Sequence, residues 1–178
     1  MKKYYYYLFG LIALIISFIF DKQIISFIVA NRLEFLNKFF ILLDYINGFV
    51  IFIISLAILY FNKDKKRIPY LILAFLFYAV IVFFLKEFIA RPRPYTFGIY
   101  ALIPDTNFSF PSGHTTAIFT ALPFMKKFKN IYYIYIIFAI LIAFSRIYLG
   151  VHYLSDVIAG ILLGLLISNF ILKKGKIW

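Results

Sequence analysis

Six stretches of this chain run for 14 to 20 residues with almost no formal charge, and this constrains the fold more than any other feature. They lie at about 4–20, 46–61, 68–85, 112–125, 131–149 and 153–172, and together they hold one arginine, Arg146, and one aspartate, Asp156. A hydrocarbon core about 30 Å thick is crossed by roughly 20 apolar helical residues, whose backbone groups must be satisfied within the segment. The expected fold is therefore all-α: a polytopic membrane protein with six transmembrane helices. A mean hydropathy of +0.96 and 65% hydrophobic residues, well above the range of soluble domains, fit that reading. Spans take up most of the 178 residues, so a single domain, 1–178, is expected.

The connections refine this picture. Lys2 and Lys3 precede the first apolar stretch, but no small-residue cleavage site follows Phe20, so a retained anchor is expected. The fourth stretch is short and opens on polar residues; Pro123 is expected to end it. Gly150 reads as the cap of the fifth. Between the first two spans, Ile25, Ile28, Val29, Leu33, Leu36, Phe40 and Leu43 recur at helical spacing opposite Gln23, Ser26, Asn31, Glu34 and Lys38. An amphipathic helix over 22–43, lying in the interface, is expected there. With the N-terminus inside, the inner connections hold 12 cations and one acid, the outer ones 7 cations and 6 acids. The positive-inside rule thus puts both termini in the cytoplasm and explains the net +12 without invoking nucleic acid. The expected location is the bacterial cytoplasmic (inner) membrane.

Three segments carry the chemistry. They are Lys86 with Arg93-Pro94 after six residues; Pro111-Ser112-Gly113-His114; and Ser145-Arg146, followed by His152 and Asp156. On the expected topology all three reach the outer face. Lys86, Arg93 and Arg146 border apolar runs, where a charge is costly and marks a functional candidate. Guanidinium forks and an ammonium suit phosphate oxygens. Pro111-Ser112-Gly113 reads as a helix start with Ser112 as N-cap, whose backbone N–H groups would face an anion. His152 and Asp156 are four apart and would share a helical face, the aspartate orienting the imidazole. His114 has no such partner nearby in sequence and is free to act as an acid. Two histidines in a phosphate nest suggest double displacement through a phosphohistidine. Singly, each residue has a plainer reading: Lys86 as a snorkelling lysine, Arg91 and Arg93 as loop charges, His152 and Asp156 as a structural pair. Arg91-Pro92 offers a second register for the first segment; the six-residue spacing from Lys86 favours Arg93.

Together the segments resemble the type 2 phosphatidic acid phosphatase (PAP2) superfamily, whose motifs read K-x6-RP, PSGH and SR-x5-H-x3-D. All eleven specified residues are present in order (three, four and four). The resemblance implies His152 as nucleophile, Asp156 as its orienting residue and His114 as general acid. It implies Lys86, Arg93, Ser112, Gly113 and Arg146 as the phosphate-binding set, with no metal and no cofactor. The implied activity is removal of a phosphate or pyrophosphate group from an amphiphilic lipid at the extracytoplasmic face. Candidate substrates are lipid A 1-phosphate, undecaprenyl pyrophosphate, phosphatidylglycerol phosphate and phosphatidic acid, with a lean to the first two. A lipid phosphotransferase using the same site and a non-catalytic lipid-binding relative are the alternatives. Vanadate-dependent haloperoxidases share the anion nest but are soluble, so the spans argue against them.

Overall fold

A computed structural model describes residues 2–176, so Met1, Ile177 and Trp178, the ends of the expected 1–178 domain, lie outside the described residues. The described residues fold into α1 (Lys2–Ala30), α2 (Glu34–Asp44), α3 (Gly48–Phe61), α4 (Ile68–Ile89), α5 (Gly113–Met125), α6 (Lys129–Tyr148) and α7 (Leu154–Lys174). Short 3₁₀ turns occupy Lys65–Arg67 and Pro94–Phe97, and the described residues contain no strand.

Helix ends follow local chemistry. The Asn47 side chain caps α3 by accepting the N–H groups of Phe49 (3.0 Å) and Val50 (3.2 Å). Ahead of the prolines at 92 and 94, α4 stops on Ala90 in the left-handed region (φ 48°). Gly150 turns the chain out of α6 at φ 79°, as its spacing suggested. Pro123 sits inside the last turn of α5, which continues to Met125 and does not end at the proline.

The expected interfacial helix over 22–43 is corrected. Its first part is the C-terminal end of α1, which runs unbroken to Ala30; the chain breaks only at Asn31–Leu33, and α2 follows as a separate helix. Asp21-Lys22 reads as the end of a span, yet neither residue breaks a helix. At 29 residues α1 is about 43 Å long, longer than the roughly 30 Å hydrocarbon core. Its buried polar and apolar positions, Ser17, Asp21 and Ile25, fall four apart on one face, with apolar side chains exposed around them.

The centre of the molecule is α5, with ten of its thirteen residues buried among α3, α4, α6 and α7. Its closest approach is to α7 along Gly160, Gly164 and Ser168. A Cβ at Gly164 would lie 2.6 Å from the Thr116 carbonyl oxygen, so the two backbones touch where no side chain fits. Ser168 donates to the Thr120 carbonyl one turn on. Small residues at four-residue spacing allow such contact in membranes. The result fixes the start of α5 against the start of α7: the Ser112 N–H donates to the Asp156 carbonyl at 3.1 Å. Four segments are long and apolar enough to cross a membrane (Tyr5–Ala30, Lys65–Phe97, Lys129–Tyr148 and Leu154–Lys174), and α2 meets α3 at 70°.

Candidate active site

At one end of the bundle the three motif segments meet around a cavity of about 380 Å³. Lys86, Arg93, Gly113, His114 and His152 line it, with Asn47 and Gly48 from the start of α3 and Asp105 and Asn107 from the α4–α5 connection. Arg146, Ser112 and Asp156 lie behind the wall, each 2% exposed or less.

The cations are held by acceptors from outside the motifs. The Lys86 ammonium donates to the Phe108 carbonyl and, at 3.3 Å, to the Asn107 side chain. Arg93 donates to the carbonyls of Asn107 (2.6 Å) and Val151 (2.9 Å) and to the Asp105 carboxylate (2.7 Å). Its Nη1 also stands 3.4 Å from His152 Nε2. Arg146 donates from Nη1 to the Asp44 carboxylate, while its buried Nε has no protein partner. The connection itself is pinned at Ser109, whose N–H donates to the Arg91 carbonyl at 2.9 Å, and at Leu102, whose N–H donates to the Leu149 carbonyl at 3.0 Å.

The histidines sit differently from the sequence expectation. His152 is not on a helical face shared with Asp156: it lies in the Gly150–Tyr153 turn, and Asp156 is in the first turn of α7. The Arg146 carbonyl accepts both the Val151 and the His152 N–H groups, which tightens that turn. His152 Nδ1 is 3.4 Å from Asp156 Oδ2 without hydrogen-bond alignment, and that oxygen accepts the Tyr153 N–H at 2.9 Å. The pairing is thus electrostatic, across a helix start. Burial, followed by the charges of Arg93, Arg146 and Lys86, pushes the His152 pKa well below the ordinary imidazole value, so at neutral pH the ring keeps its lone pair. His114 does have a partner, distant in sequence: its Nε2 is 3.1 Å from the Asp44 carbonyl oxygen and 3.9 Å from the Asp44 carboxylate.

Arg93 and Arg91 divide the work that the two registers left open. Arg93 faces the cavity. Arg91 lies behind Asp156, bridging it (2.6 Å) to Asp21 of α1 (2.7 Å), with its guanidinium 4.1 Å from the Tyr153 ring centroid and 5.1 Å from that of Phe18. Asp21 also accepts the Ser155 N–H at 3.0 Å. Ser112 holds the N-cap position of α5 with extended backbone, but its hydroxyl pairs with Thr115 (3.0 Å) instead of capping a backbone N–H. A Cβ at Gly113 would meet only Tyr78 Oη at 3.7 Å and Val82 at 4.0 Å, so the space beside this glycine is the cavity. Among the described residues no three His, Asp or Glu side chains converge on a common metal position.

Sequence reasoning missed Asp21, Asp44, Asp105 and Asn107. A signal existed: the chain has only seven acids, and Asp21, Asp44, Asp105 and Asp156 all pair with a cation at this end.

Comparison with known proteins agrees with the motifs. Residues 67–176 match the family model of the PAP2 superfamily. An undecaprenyl-diphosphatase of Sulfolobus acidocaldarius is 32% identical over 185 residues, covering 94% of this chain and 90% of that protein. A lipid A 4'-phosphatase of Porphyromonas gingivalis is 33% identical over 140 residues, covering 68% of this chain but only 59% of its own length. The crystal structure of a transmembrane PAP2-type phosphatidylglycerolphosphate phosphatase from Bacillus subtilis superposes with a TM-score of 0.78 at 28% identity, over 99% of this chain and 97% of that one.

Proposed function

This chain belongs to the PAP2 superfamily, and on that premise we propose that it is an integral-membrane phosphatase acting on a phosphorylated or pyrophosphorylated lipid. One observation carries the reading: side chains from all three motifs, with both histidines, line a single cavity. In the mechanism we infer, His152 Nε2 attacks phosphorus in line with the lipid oxygen, and the phosphohistidine forms as the phosphorus–oxygen bond breaks. His114 protonates the departing oxygen and then takes a proton from the water that frees orthophosphate. Asp156 supports the ring of His152. Lys86, Arg93, Ser112, Gly113 and Arg146 form the phosphate set, the cations countering charge on the equatorial oxygens. No step requires a metal ion or cofactor.

A second cavity supports an amphiphilic substrate. It measures about 390 Å³ and is walled by Ile51, Ile54 and Ile58 of α3, Ile118 of α5, and Ile131, Ile134, Tyr135 and Phe138 of α6. Ile118 lies one turn beyond His114 on the same face of α5, and Ile51 one turn beyond Asn47, so the apolar wall begins about 6 Å deeper than the site. A hydrocarbon chain fits there. The relatives are named for different lipids, so lipid A 1-phosphate, undecaprenyl pyrophosphate, phosphatidylglycerol phosphate and phosphatidic acid all stay candidates, the first two foremost.

We further propose one domain, 1–178, with six spans (α1, α3, α4, α5, α6 and α7) and α2 in the interface. Both termini lie in the cytoplasm, and the site faces out of the cytoplasmic membrane. The inner connections hold 12 of the 19 basic residues, which supports that orientation.

The test is phosphate release by detergent-purified protein in EDTA from those four lipids, beside His152→Ala. Release from at least one lipid is expected, with a loss of about 10³-fold or more in the variant. Release that persists in the variant would falsify the phosphohistidine route.

A further inference from the structure

We propose that Asp44, outside every motif, is the positioning residue for the acid His114, as Asp156 is for His152. This rests on the phosphatase reading above.

Asp44 is the last residue of α2, and the α2 side chains Phe40 and Leu43 are buried against Tyr148, Leu149 and Val151. That packing fixes α2 to the chain segment bearing Arg146 and His152. From there Asp44 presents two oxygens to one ring: its carbonyl at 3.1 Å and its carboxylate at 3.9 Å from His114 Nε2. A carbonyl can only accept, so Nε2 carries hydrogen; this tautomer is assigned from the contact pattern. Nδ1 is then the nitrogen left to face the substrate in the cavity that His114 lines. The two histidines therefore act through opposite nitrogens: His152 attacks through Nε2, and His114 delivers through Nδ1.

The Nε2 lone pair of His152 forms the nitrogen–phosphorus bond while the phosphorus–oxygen bond breaks toward the lipid. The lipid oxygen keeps that electron pair and takes the Nδ1 proton of His114. For the transfer the His114 ring must carry a second proton, whose charge the Asp44 carboxylate would offset at 3.9 Å. Afterwards it is neutral, with Nε2–H still on the Asp44 carbonyl. Asp44 also grips Arg146, so the acid and one phosphate ligand share an anchor.

The leaving group separates this role from simple neutralisation of Arg146. Phosphatidic acid expels an alkoxide, which must be protonated; p-nitrophenyl phosphate expels a phenolate that leaves unaided. Both bind through phosphate, so the ratio of their kcat/KM values cancels phosphate binding. Asp44→Asn is expected to lower the phosphatidic-acid to p-nitrophenyl-phosphate ratio by about 10–100-fold, part of the 10²–10⁴ that general acids contribute. An unchanged ratio, however large the common loss, overturns the proposal and leaves Asp44 as a counter-ion. His114→Ala should lower the same ratio at least as far, and adding Asp44→Asn to it should lower the ratio no further. Independent losses in the double variant also overturn the assignment. Wild-type protein that frees phosphate from none of the four lipids refutes the phosphatase reading beneath this proposal; wild-type release with an unchanged ratio refutes this proposal alone.

Discussion

Arg91 and Arg93 stand two residues apart and serve opposite sides of His152. Arg93 reaches the imidazole from the cavity, and Arg91 reaches its aspartate from behind. The Arg91 pairing is largely buried: the carboxylates of Asp21 and Asp156 are 5% and 0% exposed, and the arginine side chain 19%. Removing one member of such a network strands the others, at a cost of about 3–5 kcal/mol. Arg91→Met is therefore expected to lower the thermal unfolding temperature sharply in detergent; a change of only a degree or two would show that the network is not structural. The motif spacing singled out Arg93, His114, His152 and Asp156, because each belongs to a short run of residues. The scarcity of acids marks Asp21 and Asp44, but not what they pair with. Their partners lie 70 to 134 residues away, and a lone aspartate beside an apolar run reads as a span end.

Among the helices, the α5–α7 seam bears most directly on the site. Gly160, Gly164 and Ser168 let α7 approach α5 closely, and the seam ends where Ser112 meets Asp156. A valine at Gly164 would drive its Cβ into backbone 2.6–2.9 Å away. Gly164→Val should cost about 1–3 kcal/mol and lower phosphatase activity in the protein that still folds, since the shift separates His114 from His152. Activity and unfolding temperature at wild-type values would remove the seam from the mechanism. Apolar runs showed where helices form, and Gly150 showed where one of them stops, whereas Pro123 did not end α5. The continuation of α1 past Asp21 was hidden, because the carboxylate is kept in the helix by an arginine and a serine from far along the chain.

For the molecule as a whole, the proposed orientation in the bilayer is directly measurable. The chain contains no cysteine, so single cysteines report without background. A cysteine replacing exposed Thr96, in the α4 to α5 connection, is expected to react with a membrane-impermeant maleimide in intact cells. One replacing Lys65, in the α3 to α4 turn, should react only after permeabilisation. The opposite pattern would invert the proposed topology and move the site to the cytoplasm.

The family match begins at residue 67, yet Asp21 and Asp44 both precede it. The leading helix is thus more than a tether that any apolar segment of equal length could replace. A chimera that exchanged it would still insert, but it would leave Arg91 with one carboxylate instead of two and loosen the support behind Asp156. Grafting of membrane anchors between such enzymes is therefore constrained by a single buried charge.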